Sequence, residues 1–539
     1  MRLVTAEEMR LAEQAAVERG DTWEGLMERA GQAVAREVLA RVKKTARRVL
    51  LLVGPGNNGG DALVAGRHLR ESGLSVVAYL WNRRGGPADR LVEALTECGG
   101  EAMWAEADEG LQALHRELGQ ADVVVDGLLG MGLTRPIEGL LRDIVEEVNR
   151  ASRPLVVAVD LPTGVHADTG QVLGVAVRAA VTVTMGWAKR GLYQFPGAGY
   201  AGDVVVADIG LPEELLKGVQ AEVLDVERLR GALPARRRDG HKGTFGRVLV
   251  VAGSLHYTGA PYLAAMAAYR VGAGLVTLAP PRTIYPILAA RALETTFLPL
   301  PEGEVGAVGE GAIKVLGEVI GRYQVLVLGC GLGQEEGTVT FVRRLLRVRE
   351  RPQPGIGFLP RVEVEEFEGE LPLLVLDADG LNALAGVPEW WKNLPPGRAI
   401  LTPHPGEMAR LLGASQEEVL ASRISVAQRA ATTWRQVVVF KGAYTVVAHP
   451  EGQVVVNPVA CPALATAGTG DVLAGAIGGF LAQGVAPFEA ALLGVYVHSL
   501  AGMMVEEEVG PAGGVAGQVL EALPRALRCF AEGKRRGRR

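Results

Sequence analysis

Cysteine is scarce in this 539-residue chain: Cys98, Cys330, Cys461 and Cys529 are its only four, and no two form a CxxC pair. That scatter excludes a disulfide framework and a paired-cysteine zinc site, and it fits a reducing, cytoplasmic setting. Charge of one sign is lacking too. The formal net charge is −5 with no dominant basic face, which argues against nucleic acid as a partner. The N-terminus, MRLVTAEEMRLAEQ, lacks the apolar core of a secretory signal. The longest apolar stretch, Ala490 to Val505, contains His498 and Ser499 and falls short of the roughly 18 residues of a spanning helix. A buried helix is expected there, and no membrane partner.

What is present is enough for a large core. Hydrophobic residues make up 48% and charged residues 22%, and the length favours two or more domains. The 71 glycines suit many tight strand-to-helix turns. Short β-branched runs predict strands at 49–53, 75–80, 122–125, 155–159, 181–184 and 203–207, and helical spacing runs from Ile137 to Val148. Strands alternating with helices indicate a largely parallel sheet covered on both faces. A charged stretch, 225–242, marks a boundary within or just before it. Beyond it, strands are predicted at 247–251, 275–278, 325–328, 373–376 and 399–401, with a helix over 261–271. A hairpin is predicted at 436–439 and 445–448, and helices from about Asp471. The segment 351–370 reads as a surface insertion, and the basic tail 533–539 as a solvated terminus.

The first chemical constellation follows the strand at 49–53. Gly54, Gly56 and Gly59 match GxGxxG, but the next strand ends Tyr79-Leu80-Trp81-Asn82 without the acid that holds a ribose. The Gly-Lys-Ser/Thr of a Walker loop is also missing. Small residues still allow backbone N–H groups to approach an anion. Two further strands end in aspartate before a turn: Asp126 in VDGLLGMGLTRP and Asp160 in VDLPTG. Asn58, Asp126 and Thr163 offer oxygens suited to a hard monovalent cation, and Asp160 is a candidate acid/base group. Capping of helices and turns is the alternative for each.

The second constellation is TAGTGDVLAG, which sets Gly468, Thr469, Gly470 and Asp471 at a helix start. Free N–H groups there favour phosphate oxygens. Asp471 would repel a phosphate, so its natural role is to take a proton from an attacking hydroxyl; the alternative is a helix cap. His404 and Glu407, three apart after a strand, are placed to orient substrate or a hydrated magnesium ion. Lys441 lies between two strands, either lining a nucleotide loop or sitting on a surface turn.

Together these segments resemble the bifunctional NAD(P)H-hydrate repair enzymes, over nearly the whole chain. GPGNNGGD, VDGLLGMGL, VDLPTG and MGWAKRGL resemble the epimerase domain. GSLHYTGAPYLAAMAAYRVGAGLVT, LDADGLNAL, TPHPGEMARLL, FKGAYT and AGTGDVLAG resemble the dehydratase domain. The resemblance implies an α/β protein with a Rossmann-like three-layer domain over 1–222 and a ribokinase-like α/β domain over 223–539. It implies epimerization of the R and S forms of NADH hydrate and NADPH hydrate, and dehydration of the S form at the expense of ADP, leaving AMP and phosphate. Potassium ligands would be Asn58, Asp126 and Thr163. Hydrate contacts would be Asn57, Asn58, Gly59, Gly60 and Asp61, then Gly130, Met131, Gly132, Leu133, Thr134, Arg135 and Pro136, with Asp160 moving protons. In the dehydratase, Ala260, Gly333, His404 and Asp471 would meet the hydrate. Lys441, Gly442, Ala443, Tyr444, Thr445 and Gly470 would surround ADP and its magnesium ion. A homo-oligomer is also implied.

Some positions depart from the family pattern. Ala62 stands where glycine is common, Thr163 replaces serine but keeps the hydroxyl, and Cys330 replaces a frequent proline in the GCGLG loop. The competing readings are a ribokinase-like kinase for a small alcohol and a non-catalytic N-terminal scaffold. HPGE in place of an NxxE motif disfavours the kinase, and the intact Asn58, Asp126 and Asp160 disfavour the scaffold.

Overall fold

The computed structural model describes residues 1–42, 45–83, 89–348, 367 and 369–533. The chain forms two compact units, Met1–Glu222 and Val223–Arg539.

In the first unit the run Arg48–Val53 is aliphatic and buried from Val49 onward, which suits a strand covered on both faces. Alternation divides it. Val49, Leu51 and Val53 face a core shared with helices Trp23–Arg41 and Asn57–Glu71. Leu50 and Leu52 face a core shared with helices Gln112–Gln120 and Gly139–Arg150. The result is three layers around a seven-stranded sheet. Its spatial order is Glu101–Trp104, Ser75–Leu80, Arg48–Val53, Val123–Gly127, Leu155–Val159, Val181–Met185, Asp203–Ala207. All six pairings are parallel. The chain reverses its direction of strand addition at Arg48–Val53, so a crevice opens at that strand's carboxyl end. The backbone passes close there: a Cβ on Gly54 would lie 1.7 Å from the carbonyl oxygen of Leu128.

Two local expectations shift. The helix over 137–148 is observed as Gly139–Arg150, because Ile137 is buried ahead of it and its N–H donates to Leu173 O at 3.0 Å. Strand Glu101–Trp104 was not anticipated; EAMW has no β-branched residue and lies on a partly exposed sheet edge.

The sheet of the second unit includes parallel strands Val437–Phe440, Ala399–Leu401, Leu373–Leu376, Val325–Leu328, Arg247–Val251 and Leu275–Ala279, side by side in that order. Val437–Phe440 and Val446–Ala448 form the expected antiparallel pair. Val454–Val456 adds an unforeseen third antiparallel strand. Helix Thr469–Ala482 packs so closely on helix Gly259–Arg270 that a Cβ on Gly475 would lie 2.0 Å from Ala264 O. The apolar stretch expected to be short extends into helix Pro487–Val509, 23 residues and long enough by length and composition to cross a membrane. Its most apolar window is 78% buried inside the fold, as a core helix requires. The tail from 534 and nearly all of the 351–370 insertion lie outside the described residues.

Candidate active sites

At the crevice of the first unit, Gly56 precedes helix Asn57–Glu71 without a side-chain cap, so Asn57, Asn58, Gly59, Gly60 and Asp61 open the helix. Asp126 is fully buried. Its Oδ2 accepts from Thr163 N at 2.8 Å, and its Oδ1 from Thr163 Oγ1 at 2.7 Å and Leu128 N at 3.3 Å. Burial raises the Asp126 carboxyl to about 6 against the pull of those donors. Asn58 comes alongside: a Cβ on Gly130 would lie 3.2 Å from Asn58 Oδ1, and the buried Asn58 Nδ2 has no hydrogen-bond partner. The loop after Gly130 is anchored by buried Leu133 and half-buried Met131, leaving Gly132, Thr134, Arg135 and Pro136 exposed at the rim.

Asp160 ends its strand with φ at +62°, a left-handed conformation. Its Oδ1 accepts from Met185 N at 3.0 Å, from Thr184 Oγ1 at 3.2 Å and from the ammonium of Lys189. Lys189 is wholly buried and also donates to Met185 O at 2.9 Å. Two more carboxyls complete this cluster. Burial raises Glu13 to about 7, with Lys189 pulling it down and Asp160 pushing it up. Asp61 is held well above the usual carboxylate range, chiefly by burial and then by the charges of Asp160 and Glu13. Lys189 and Glu13 were not singled out from the sequence. A lysine inside the apolar segment MGWAK was the available signal for the first; Glu13 resembles any surface residue of an amphipathic helix.

In the second unit Asp377 is the hub. Its Oδ1 accepts from Lys441 Nζ at 2.6 Å and from Thr402 Oγ1 at 2.6 Å, and its Oδ2 lies 3.8 Å from Cys330 Sγ. Lys441 is thus an inward-facing lysine, not a surface turn residue. Burial alone would lower its ammonium; Asp377 and Glu407 outweigh that and hold it well above the usual lysine range. Cys330 Sγ and carboxylate oxygens of Asp377 and Asp471 lie within 4.8 Å of one another.

Asp471 sits in the first turn of Thr469–Ala482, whose N-cap is Gly468 with no side-chain cap bond, so capping does not explain the aspartate. Its carboxyl is pushed up to about 7 by burial and then by the charge of Asp377. Gly470 leaves room: a Cβ there would come 3.5 Å from Lys441 Nζ. Arg423, missed in the sequence, fastens the 441–445 loop by donating to the carbonyls of Phe440 at 3.1 Å, Lys441 at 3.0 Å and Ala443 at 2.5 Å. Within that loop Thr445 Oγ1 donates to Gly442 O at 2.8 Å, and Tyr444 N to Val459 O at 3.0 Å.

His404 is an N-cap. Its Nδ1 accepts from Gly406 N at 3.0 Å and Glu407 N at 3.3 Å, while Glu407 Oε2 accepts from His404 N at 2.7 Å. Burial, then the positive charges of Lys441 and Arg410, lower the imidazole, so the neutral ring is favoured. Gly333 N donates to Asp379 Oδ2 at 2.9 Å, and Ala260 adjoins the same loop, 3.0 Å from the Cβ position of Gly331.

Two α/β units with largely parallel sheets, each gathering acidic and lysine side chains near the carboxyl ends of its strands, define a two-domain enzyme with two polar sites. Residues 24–191 match the family described as YjeF-related protein N-terminus, and residues 248–525 the NAD(P)H-hydrate dehydratase family. The chain is 40% identical over 516 residues to the bifunctional NAD(P)H-hydrate repair enzyme Nnr of Moorella thermoacetica, covering 94% of this chain and 93% of that one. To the enzyme of the same name from Thermofilum pendens it is 40% identical over 536 residues, covering 99% and 97%. It is also similar to the ADP/ATP-dependent NAD(P)H-hydrate dehydratase from Bacillus subtilis, at 30% identity and TM-score 0.46 over 57% of this chain and 98% of that one. The chain belongs to the bifunctional NAD(P)H-hydrate repair enzymes.

Proposed function

We propose that the unit 1–222 epimerizes the R and S forms of NADH hydrate and NADPH hydrate, and that 223–539 dehydrates the S form with ADP, releasing AMP and phosphate. The observation that carries the dehydratase reading is Asp471: a half-buried carboxyl, raised to about 7, beside a helix start with no side-chain cap. A base that titrates near neutral pH suits proton removal from a hydroxyl. The hydrate's hydroxyl oxygen attacks the terminal phosphoryl group of ADP, its proton passes to Asp471, and AMP leaves. The ring nitrogen's lone pair then expels phosphate, and loss of a proton from the neighbouring carbon restores the dihydropyridine.

Ala260, Gly333 and His404 would meet the hydrate, His404 through Nε2 because Nδ1 is spent on its cap. Lys441–Thr445 and Gly470 would line the nucleotide. Magnesium would come with the phosphates and offset their charge. In the first unit Asn57–Asp61 and Gly130–Pro136 would border the hydrate, with Asp160 as a proton acceptor. Asn58, Asp126 and Thr163 supply a set of oxygen donors that fits potassium, and the unpartnered Asn58 Nδ2 is consistent with its oxygen being turned toward a cation. Potassium there would fix the loops that border the hydrate. A homo-oligomer in the cytoplasm is the setting this reading favours.

The experiment is recovery of NADH absorbance from an R/S mixture of NADH hydrate with ADP, magnesium and potassium. Complete recovery is expected. A stall after the S form is consumed would remove the epimerase half of the reading, and no recovery with ADP or ATP would remove the whole.

A further inference from the structure

Helix Ala6–Glu18 precedes the matched segment 24–191, yet it is fastened to the Asp160 site at several points. Leu3–Val4 pairs in parallel with Ala188–Lys189, setting Val4 opposite Lys189. Thr5 and Glu8 close a capping box at the helix start. Ala6 N donates to Asp168 Oδ1 at 2.7 Å, and Arg190 lies 3.3 Å from the Glu8 carboxylate. Met9 packs over the adjoining turn, its Cε 3.1 Å from the Cβ position of Gly186. Glu13 is four residues beyond Met9 and therefore on the same helix face, the one that meets the turn at Gly186. Lys189, Asp160 and Asp61 are the charged groups that act on it.

The two carboxylates have opposite surroundings. Asp160 Oδ1 accepts from a lysine ammonium, a backbone N–H and a hydroxyl. Glu13 is half-buried and makes no hydrogen bond among the described residues. Burial raises it to about 7, which favours the protonated carboxyl near neutral pH. A carboxyl without a hydrogen-bond partner among the described residues, close to one already filled by three donors, offers a proton donor and a proton acceptor within one site.

We infer that Glu13 is the proton donor of the epimerase site, acting on the hydroxyl of the bound NAD(P)H hydrate while Asp160 is the acceptor. This rests on reading the first unit as an epimerase. Glu13 gives its proton to the ring hydroxyl, which leaves as water as the ring nitrogen's lone pair forms a C=N bond. Water adds to the opposite face, the C=N electrons return to nitrogen, and the added water loses one proton to Asp160. That proton returns to Glu13, so the cycle consumes nothing.

The test uses the full chain with pure R hydrate, whose conversion to NADH needs epimerization, and pure S hydrate, whose conversion does not. E13Q is expected to lower the R-hydrate kcat by about 100-fold with little change in KM, and to leave the S-hydrate rate unaltered. E13D, which keeps a carboxyl, is expected to restore part of the loss. In the unaltered protein the R-hydrate rate should fall as pH rises through about 7, since the donor must be protonated, and E13Q should lose that limb. Unchanged R-hydrate kinetics and pH profile in E13Q would overturn the assignment. So would a raised KM at constant kcat in both variants, the mark of a structural role. If the unaltered protein itself fails to convert R hydrate, the epimerase reading falls rather than Glu13 alone.

Discussion

Lys441 Nζ lies 2.6 Å from Asp377 Oδ1, joining the ends of two strands across a third, Ala399–Leu401, that runs between them. Asp377 is 2% exposed, and Thr402, just past the intervening strand, donates to the same oxygen. The pair fixes the floor on which Asp471 and Gly470 sit. Removing one partner strands a buried charge. Lys441→Met should therefore destabilise the second unit by about 3–5 kcal/mol and abolish dehydration. Urea unfolding followed alongside S-hydrate turnover checks both; an unaltered midpoint would show the pair to be solvated.

Asp471 predicts a pH dependence of rate and of stability. Dehydration should rise as pH increases through about 7, because the base must lose its proton. Stability runs the other way. A carboxyl raised by folding binds more protons folded than unfolded, so its contribution falls as pH rises from the ordinary aspartate value through about 7. Asp471→Asn should abolish dehydration, spare epimerization and flatten that stability slope. A set of thermal melts across pH on both proteins measures it.

Thr163 bears on the first unit alone. Its hydroxyl and its N–H both donate to buried Asp126, and the hydroxyl also accepts from Leu129 N at 3.0 Å. Thr163→Val leaves Asp126 short of a donor and should cost about 1–3 kcal/mol. Thr163→Ser keeps the hydroxyl and should cost less. R-hydrate turnover titrated with potassium should lose its dependence in the valine protein and keep it in the serine one.

His404 carries a cap and a proposed substrate contact on different nitrogens, so the two separate by substitution. His404→Ala should cost about 1 kcal/mol through loss of the N-cap and weaken hydrate binding as well. His404→Asn should restore the cap, and so the melting temperature, while KM for S hydrate stays high. Recovery of both together would mean that Nε2 makes no substrate contact.

Much of the scaffold was legible because sheets buried on both faces leave continuous aliphatic runs. Ser75–Leu80, Leu155–Val159, Asp203–Ala207, Arg247–Val251, Val325–Leu328, Leu373–Leu376 and Ala399–Leu401 fall on the residues the runs predicted. Edge elements were harder. Glu101–Trp104 is partly solvated, and Leu3–Val4 is strand only because Ala188–Lys189 pairs with it. Asp126 and Asp160 stood out because each closes an aliphatic run just before a turn, and Asp471 because it follows glycines at a helix start.

The sequence by itself determined the layered α/β character, the strand-end aspartates and the glycine-started helix at Asp471, because these depend on periodicity and neighbours a few residues away. Only the tertiary structure decided which of those groups meet. Asp377 and Lys441 are 64 residues apart, Asp160 and Lys189 are 29 apart, and Glu13 reaches their cluster from the first helix. Such pairings arise when parallel strands bring distant carboxyl ends to one edge. The resulting burial then shifts Glu13 and Asp471 to about 7, where a carboxyl can trade protons. Local pattern carries no record of that desolvation.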